Sequence, residues 1–559
     1  MPDEPSWPTV DGDEVDREPP TVQVRRPDPP TMRIAVPPPA QPARVRPERV
    51  PPAPAPRAEP TTEIKSEPDP APEPITEREE PASPPPAPPT PPTTSATPAA
   101  PARRRKRPFV LAAVALLVVA LAGAAVAGTR MGWFDTTPAA TTAAPPPPAP
   151  VTLSVRGIGV EGAPPTAAGV RAVLAGPVAN AVLAPVSGSV VDPATGTLLW
   201  NQGETTPLTP ASTIKVLTAA AALLTLDHTS QLSTKVVRGA QPGSIVLVGG
   251  GDPTLSSLPA GQRTVYPGAA TIDDLVAQVR ASGEQVTQVQ YDVTRYAGPG
   301  TAPGWDPGDV PGGYVAPIEP VMVDGGREDP TRDEVRRTST PAAAAAGALA
   351  QRLGVTAVAA GVASPGAAVL GEVKSAPVDQ LVENLMQISD NVLAETMARE
   401  VAKARGLEPS FEGAAKAVRD VLTENGFDLS AVTMVDASGL SPNDKVPTKL
   451  LTDVLAAAAK PDASDPRTAK LRPLLTALPV AGGSGTLAGR YEQWGADGRG
   501  WVRAKTGTLT SLNSLAGVVV DVDGRLLVFA FISTSPHQDV PVVRGALDQL
   551  AAALRTCGC

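Results

Sequence analysis

Three short clusters of polar residues in this chain could together carry out covalent acyl transfer. Ser212 and Lys215 are three positions apart, so on a helix their side chains share one face. A serine hydroxyl becomes a nucleophile when a neighbouring group takes its proton, and lysine can do so only as the neutral amine. Burial or a nearby cation would lower the Lys215 pKa, and Lys505 is expected to supply that cation. In the second cluster, Ser389, Asp390 and Asn391, Ser389 could relay a proton to a leaving amine, and Asn391 could hydrogen-bond a substrate amide. In the third, Lys505, Thr506, Gly507 and Thr508, the cation and hydroxyls suit a terminal carboxylate, and the glycine lets a ligand backbone come close.

Taken singly, each cluster has an ordinary explanation. A Ser-x-x-Lys arises about once by chance in a chain this long. Ser-Asp-Asn alone reads best as a helix N-cap, and Lys-Thr-Gly as a polar strand end. Their order and settings together are what point to one acyl-transfer site. Other chemistries find little support. His228 and His537 are the only histidines and neither accompanies a G-x-S-x-G elbow, which argues against a serine–histidine triad. Gly249-Gly250-Gly251-Asp252 lacks the lysine of a phosphate-binding loop and reads as a tight turn. Cys557 and Cys559 are too few for a disulfide framework, and no metal or other cofactor is expected.

The elements that must position these residues can be traced along the chain. Residues 167–178 suggest a short helix, and Ser187–Val191 with Thr197–Trp200 a hairpin around Asp192–Gly196. Pro210 precedes a helical stretch, Ser212–Leu226, whose positive end would favour an anion developing at Ser212. Helical segments Val378–Gln387 and Val392–Ala404 bracket the second cluster, and Gly500–Ala504 is extended ahead of Lys505. Leu515–Val522 and Arg525–Ser533 flank Asp523-Gly524, a hairpin signal, before an amphipathic helix over Val540–Leu554. The two ends of this region can form one antiparallel sheet with helices on its faces, an α+β architecture. Residues at about 230–375, with short β-like runs, glycine turns and an Ala-rich helix (Pro341–Leu353), read as an inserted lobe.

Composition divides the rest of the 559 residues. Residues 1–102 are Pro-rich and poor in large apolar side chains, which predicts a disordered tail. Residues 103–132 combine a basic flank, Arg103–Arg107, with the apolar run Pro108–Gly128, long enough to cross a hydrocarbon core of about 30 Å. The positive flank predicts a single-pass membrane anchor with a cytoplasmic N-terminus and an extracytoplasmic catalytic domain. Residues 133–150 form a Pro/Thr linker, and 151–559 carry the catalytic domain. A net charge of −9 offers no footprint for nucleic acid.

With these motifs in place, residues 151–559 resemble the D-alanyl-D-alanine carboxypeptidase/endopeptidase family of penicillin-binding proteins, of the penicillin-binding protein 4 type. The resemblance extends to Leu247–Leu255, Leu385–Met397, Val435–Ser441, Ala481–Arg490 and Val502–Gly517. It implies a transpeptidase/β-lactamase-like domain in which Ser212 is acylated, Lys215 is its base partner, and Ser389 and Asn391 line the cleft. It further implies that Lys505 binds the substrate's terminal carboxylate, with Asp390, Thr506, Gly507 and Thr508 beside it. The backbone amides of Ser212 and Thr508 would form the oxyanion hole. The implied substrates are peptidoglycan stem peptides ending in D-Ala-D-Ala, with β-lactams as covalent inhibitors. A DD-endopeptidase using the same site is the main alternative, ahead of a β-lactamase or a catalytically silent wall-binding scaffold.

Overall fold

A computed structural model describes residues 163–559 apart from Ala463, His537 and Gln538. The tail, the apolar run Pro108–Gly128 and the linker expected from sequence lie outside the described residues, as does His537. Among the described residues no helix is long and apolar enough to cross a membrane.

Helix α1 (Ala167–Val178) leads into strands β1 (Val186–Asp192) and β2 (Thr197–Gln202). A 3-10 turn, Ala211–Ile214, opens helix α2 (Lys215–Thr225). Strands β3 (Gln231–Arg238) and β4 (Ser244–Val248), helix α3 (Ile272–Ala281) and strand β5 (Gln288–Asp292) follow. Helix α4 (Pro341–Leu353) and strands β6 (Ala357–Ala360) and β7 (Val369–Pro377) come next. The chain then runs through helices α5 (Val378–Gln387), α6 (Asn391–Ala404), α7 (Phe411–Glu424), α8 (Thr448–Ala459) and α9 (Pro466–Ala477). Strands β8 (Val502–Leu509), β9 (Leu512–Val520) and β10 (Leu526–Ser533) precede helix α10 (Val540–Arg555).

The first and last strands form one antiparallel sheet in the order β2-β1-β10-β9-β8. Alternation along β10 explains its central place, because successive side chains point to opposite faces. Val528 and Ala530 join a core with α2 and the helices α5–α9, whereas Leu527, Phe529 and Phe531 join the core of α1 and α10. Both faces are therefore covered, and nearly all of β10 is buried. Residues 231–377 carry a second five-stranded sheet, β6-β5-β4-β3-β7, in which β4, β5 and β6 run parallel. Its own core packs Val236, Leu247 and Val289 against Leu275 of α3 and Leu349 of α4. The molecule is thus an α+β protein whose sheets are flanked by helices.

Helix α2 is buried on every side from Lys215 to Leu224. Its run Leu217–Leu224 is uncharged and half alanine, so neighbouring helices pack closely all round it. This encloses Lys215, at the first position of the helix, out of water. Two boundaries differ from the sequence expectation. Ser212 lies in the 3-10 turn ahead of α2 rather than in its first α-helical turn. Lys505–Thr508 lie within β8 rather than beyond a strand, because pairing with β9 continues from Val502 to Leu509. Cys557 and Cys559 are bonded to each other, and Cys557 is buried in the core beside α10.

Candidate active site

The 3-10 turn that carries Ser212 is held in an unfavourable backbone conformation by contacts on both sides. Ala211 has a φ of 48°, a left-handed value that costs a non-glycine residue on the order of 1–3 kcal/mol. On one side Gly439 packs so close that a Cβ there would stand 2.0 Å from the Ala211 carbonyl oxygen. On the other side a Cβ on Gly507 would meet Ser514 Oγ at 2.2 Å and the Pro210 carbonyl oxygen at 2.9 Å. That carbonyl accepts hydrogen bonds from Ser514 Oγ (2.7 Å) and Thr213 Oγ1 (2.6 Å). Gly507 therefore admits the protein's own nucleophile turn against the sheet, and it also borders the cavity.

Lys215 Nζ donates to Ser212 Oγ at 2.9 Å, to Asn391 Oδ1 at 2.6 Å and to the Ser438 carbonyl at 2.6 Å. Three acceptors match the three protons of an ammonium group. When one proton leaves, the Ser212 hydroxyl can turn and donate to the nitrogen lone pair, which is the geometry of a general base. Burial lowers the Lys215 pKa to about 8, although Asp436, Glu395, Asp390 and Asp444 all pull it upward. Of the two causes the sequence allows, burial or the Lys505 cation, burial supplies this shift. Lys505 is itself lowered well below the ordinary lysine value, first by burial and then by the charge of Lys215.

Ser389 also adopts a left-handed backbone, with φ of 60°, at the turn between α5 and α6. Its Oγ accepts a hydrogen bond from Lys505 Nζ at 2.8 Å, and Nζ also donates to the Thr506 carbonyl at 2.9 Å. Asn391 Nδ2 donates to the Tyr314 carbonyl at 3.0 Å. Ser212, Ser389, Asn391 and Thr506–Thr508 all border one cavity of about 760 Å³, while Lys215 and Lys505 lie fully buried behind its wall. Residues separated by hundreds of positions thus converge on one nucleophile, its base and a second hydroxyl–amine pair.

The model of the D-Ala-D-Ala carboxypeptidase 3 (S13) family matches residues 171–335 and 327–554. The chain belongs to that family. It is 48% identical over 403 residues to carboxypeptidase DacB of Mycolicibacterium smegmatis, covering 71% of this chain and 85% of that protein. It is likewise 48% identical over 403 residues to carboxypeptidase Rv3627c of Mycobacterium tuberculosis, covering 71% and 86%. The crystal structure of penicillin-binding protein 4 from Haemophilus influenzae shares the fold, with a TM-score of 0.56 at 22% identity. That match covers 69% of this chain and 98% of the other. The protein is a serine-type D-Ala-D-Ala carboxypeptidase, a hydrolase.

Asp390 borders the carboxypeptidase's cleft, but its side chain is not presented to it. Asp390 was expected to touch substrate, but its carboxylate is enclosed. Oδ1 caps α6 through the Leu393 N–H at 2.8 Å, and Oδ2 accepts from Tyr266 Oη (2.8 Å) and Arg327 Nη2 (2.7 Å). Burial opposes its ionisation, but the charges of Arg327 and Arg337 outweigh this and hold it well below the usual carboxylate range. Asp390 therefore shapes the turn that bears Ser389 and Asn391. Thr506 Oγ1 bonds to Thr486 Oγ1 at 3.0 Å, and Thr508 Oγ1 to Asn513 Oδ1 at 3.0 Å.

The segment Val435–Ser441 supplies residues to which sequence reasoning gave no role. Asp436 Oδ1 accepts from the backbone N–H groups of Ser438 (3.0 Å) and Gly439 (2.6 Å), and Oδ2 from that of Ser441 (2.7 Å). Glu395 Oε1 accepts from the N–H groups of Ala437 (2.9 Å) and Ser438 (2.8 Å). Asp444 Oδ1 accepts from that of Val435 at 2.7 Å. These buried carboxyls fix the loop whose Ser438 carbonyl orients Lys215. Burial and then Asp436 raise Glu395 to about 7, and the same two causes push Asp444 far above the usual carboxylate range. The Asp-x-Ser-Gly spacing is an Asx-turn signal that could have identified Asp436. Nothing local in the sequence marks Glu395 or Asp444.

Proposed function

We propose that the enzyme removes the terminal D-alanine from peptidoglycan stem peptides through an acyl-enzyme on Ser212. The contact of the fully buried Lys215 Nζ with Ser212 Oγ at 2.9 Å, where Ser212 borders the cavity, carries this reading. Neutral Lys215 takes the Ser212 proton as Oγ attacks the carbonyl of the penultimate D-alanine. The backbone amides of Ser212 and Thr508 receive the oxyanion. The C–N bond then breaks as the departing amine gains a proton through Ser389, whose hydroxyl is recharged by Lys505. Water hydrolyses the ester and restores Ser212. A β-lactam enters by the same attack and leaves its opened ring on Ser212.

The basic flank Arg103–Arg107 and the apolar run Pro108–Gly128 support a single-pass anchor with the catalytic domain outside the cytoplasm. Fractionation of membranes with and without residues 103–132 tests this part. The mechanism is tested by fluorescent-penicillin labelling and by assaying D-alanine release from a pentapeptide stem. Both should be lost in Ser212→Ala, and a fully active Ser212→Ala protein would eliminate the mechanism. Cleavage of cross-linked muropeptides without release of terminal D-alanine would point to endopeptidase action.

A further inference from the structure

We infer that Arg544 grips the terminal carboxylate of the departing D-alanine, an inference that deepens the carboxypeptidase mechanism proposed above and rests on it. A stem peptide brings a full negative charge into the cleft one residue beyond the carbonyl attacked by Ser212. Family resemblance gives that charge to Lys505, but the fold leaves the Lys505 ammonium no surface with which to touch it. Lys505 is 0% exposed and does not border the cavity, and its Nζ is engaged by Ser389 Oγ and the Thr506 carbonyl.

Among the described residues three arginines border the cavity: Arg337, Arg490 and Arg544. Arg337 is buried and donates to the carbonyls of Gly313 and Gly325. Arg490 is held by both oxygens of Asp548, at 2.7 and 3.0 Å. Among the described residues Arg544 has no carboxylate within ion-pair distance, and its side chain makes one hydrogen bond, from Nε to Thr508 Oγ1 at 3.2 Å. The two terminal nitrogens of its fork remain available, and a guanidinium pairs with a carboxylate through two parallel N–H donors.

Its position suits the task. Thr508 lies on β8 beside the cavity and is the residue whose amide is assigned to the oxyanion hole, so the hydrogen bond places the guanidinium next to the reaction centre. Arg490 Nη2 also donates to the Arg544 carbonyl at 3.0 Å, which steadies the helix turn that carries it. Asp309, Asp333 and Glu334 border the same cavity and would repel a carboxylate, so the cationic Arg490–Arg544 edge is where one is favoured.

The test compares a diacylated L-Lys-D-Ala-D-Ala tripeptide with its C-terminal carboxamide, using the purified full chain. The wild type should strongly prefer the free acid. Arg544→Gln should lower kcat/KM on the acid by about tenfold to a hundredfold and leave the amide within about twofold. Arg544→Lys should recover part of the loss on the acid. Equal losses on both peptides, or no loss on the acid, would overturn the inference while leaving the wild-type carboxypeptidase activity intact. A wild type that releases no D-alanine from the acid would overturn the mechanism of the preceding section, and this inference with it. If Arg544→Gln does not fold, the acid-to-amide ratio of Arg544→Lys decides, because a structural role would leave that ratio unchanged.

Discussion

The guanidinium of Arg327 and the carboxylate of Asp390 meet at 2.7 Å with neither side chain exposed to solvent. Arg327 lies between β5 and α4, whereas Asp390 caps α6 beside Ser389 and Asn391. Tyr266 completes the clamp, donating to Asp390 at 2.8 Å and accepting from Arg327 at 2.6 Å. The region between β3 and β7 thus reaches back to brace the catalytic turn. Removing one partner strands a buried charge, so Arg327→Met should cost about 3–5 kcal/mol. Arg327→Met combined with Asp390→Asn, which keeps the helix cap, should recover much of that cost in a double-mutant cycle by chemical denaturation. Full additivity would show that the pair is not coupled.

Acylation should follow the neutral form of Lys215. With its pKa lowered to about 8, the rate of labelling by a chromogenic β-lactam should rise with pH along a limb centred there. Lys215→Arg, which cannot lose its proton near neutrality, should abolish the limb together with the activity. Stability should move in the same direction for a separate reason. The unfolded chain holds its lysine near 10.5 and so binds more protons between about 8 and 10.5, and folding becomes more favourable as pH rises through that window. Lys215→Met should reduce this slope in thermal melts, the remainder coming from Lys505, whose pKa burial also lowers.

Gly439→Ala should impair chemistry out of proportion to its size. The added carbon would press on the Ala211 carbonyl, and the φ of 77° at Gly439 adds strain of its own. A shift of about 1 Å in the Ser212 turn is enough to cost on the order of a hundredfold in acylation. The second-order rate constant for β-lactam acylation, compared with the change in Tm, checks this. A stable variant acylating at the wild-type rate would show that the turn is not positioned by this contact.

Asp444 separates charge from shape. Burial and the neighbouring Asp436 favour its protonated form when folded, so its contribution to stability is lost as pH rises through the folded-state pKa. Asp444→Asn keeps an acceptor for the Val435 N–H and cannot ionise, so its stability relative to wild type should improve as pH increases. Asp444→Ala leaves that N–H without its partner and should cost about 1–3 kcal/mol. Denaturation midpoints of the three proteins across pH provide the measurement.

The α+β architecture and most element boundaries could be read from the chain because they rest on local signals. Asp523-Gly524 between two apolar runs forms the β9–β10 hairpin, and the Ser-Asp-Asn turn lies between α5 and α6. The misjudged features depend on partners distant in sequence. Local signals alone put Ser212 in an α-helix, because nothing nearby reveals Gly439 and Gly507 pressing on either side of its turn. The enclosure of the Asp390 carboxylate is invisible locally because its partners Arg327 and Tyr266 are 63 and 124 positions away.

Residue types and motif order therefore determined the reaction class on their own: a serine, two lysines, an asparagine and a Lys-Thr-Gly segment carry their chemistry wherever the chain puts them. Tertiary structure alone decided what lowers the Lys215 pKa, what presses on either side of the nucleophile turn, and which cation is left to face a ligand. Those outcomes depend on desolvation and hydrogen-bond partners, which come into being only when α2 is enclosed by its neighbours and β8 closes against the nucleophile turn.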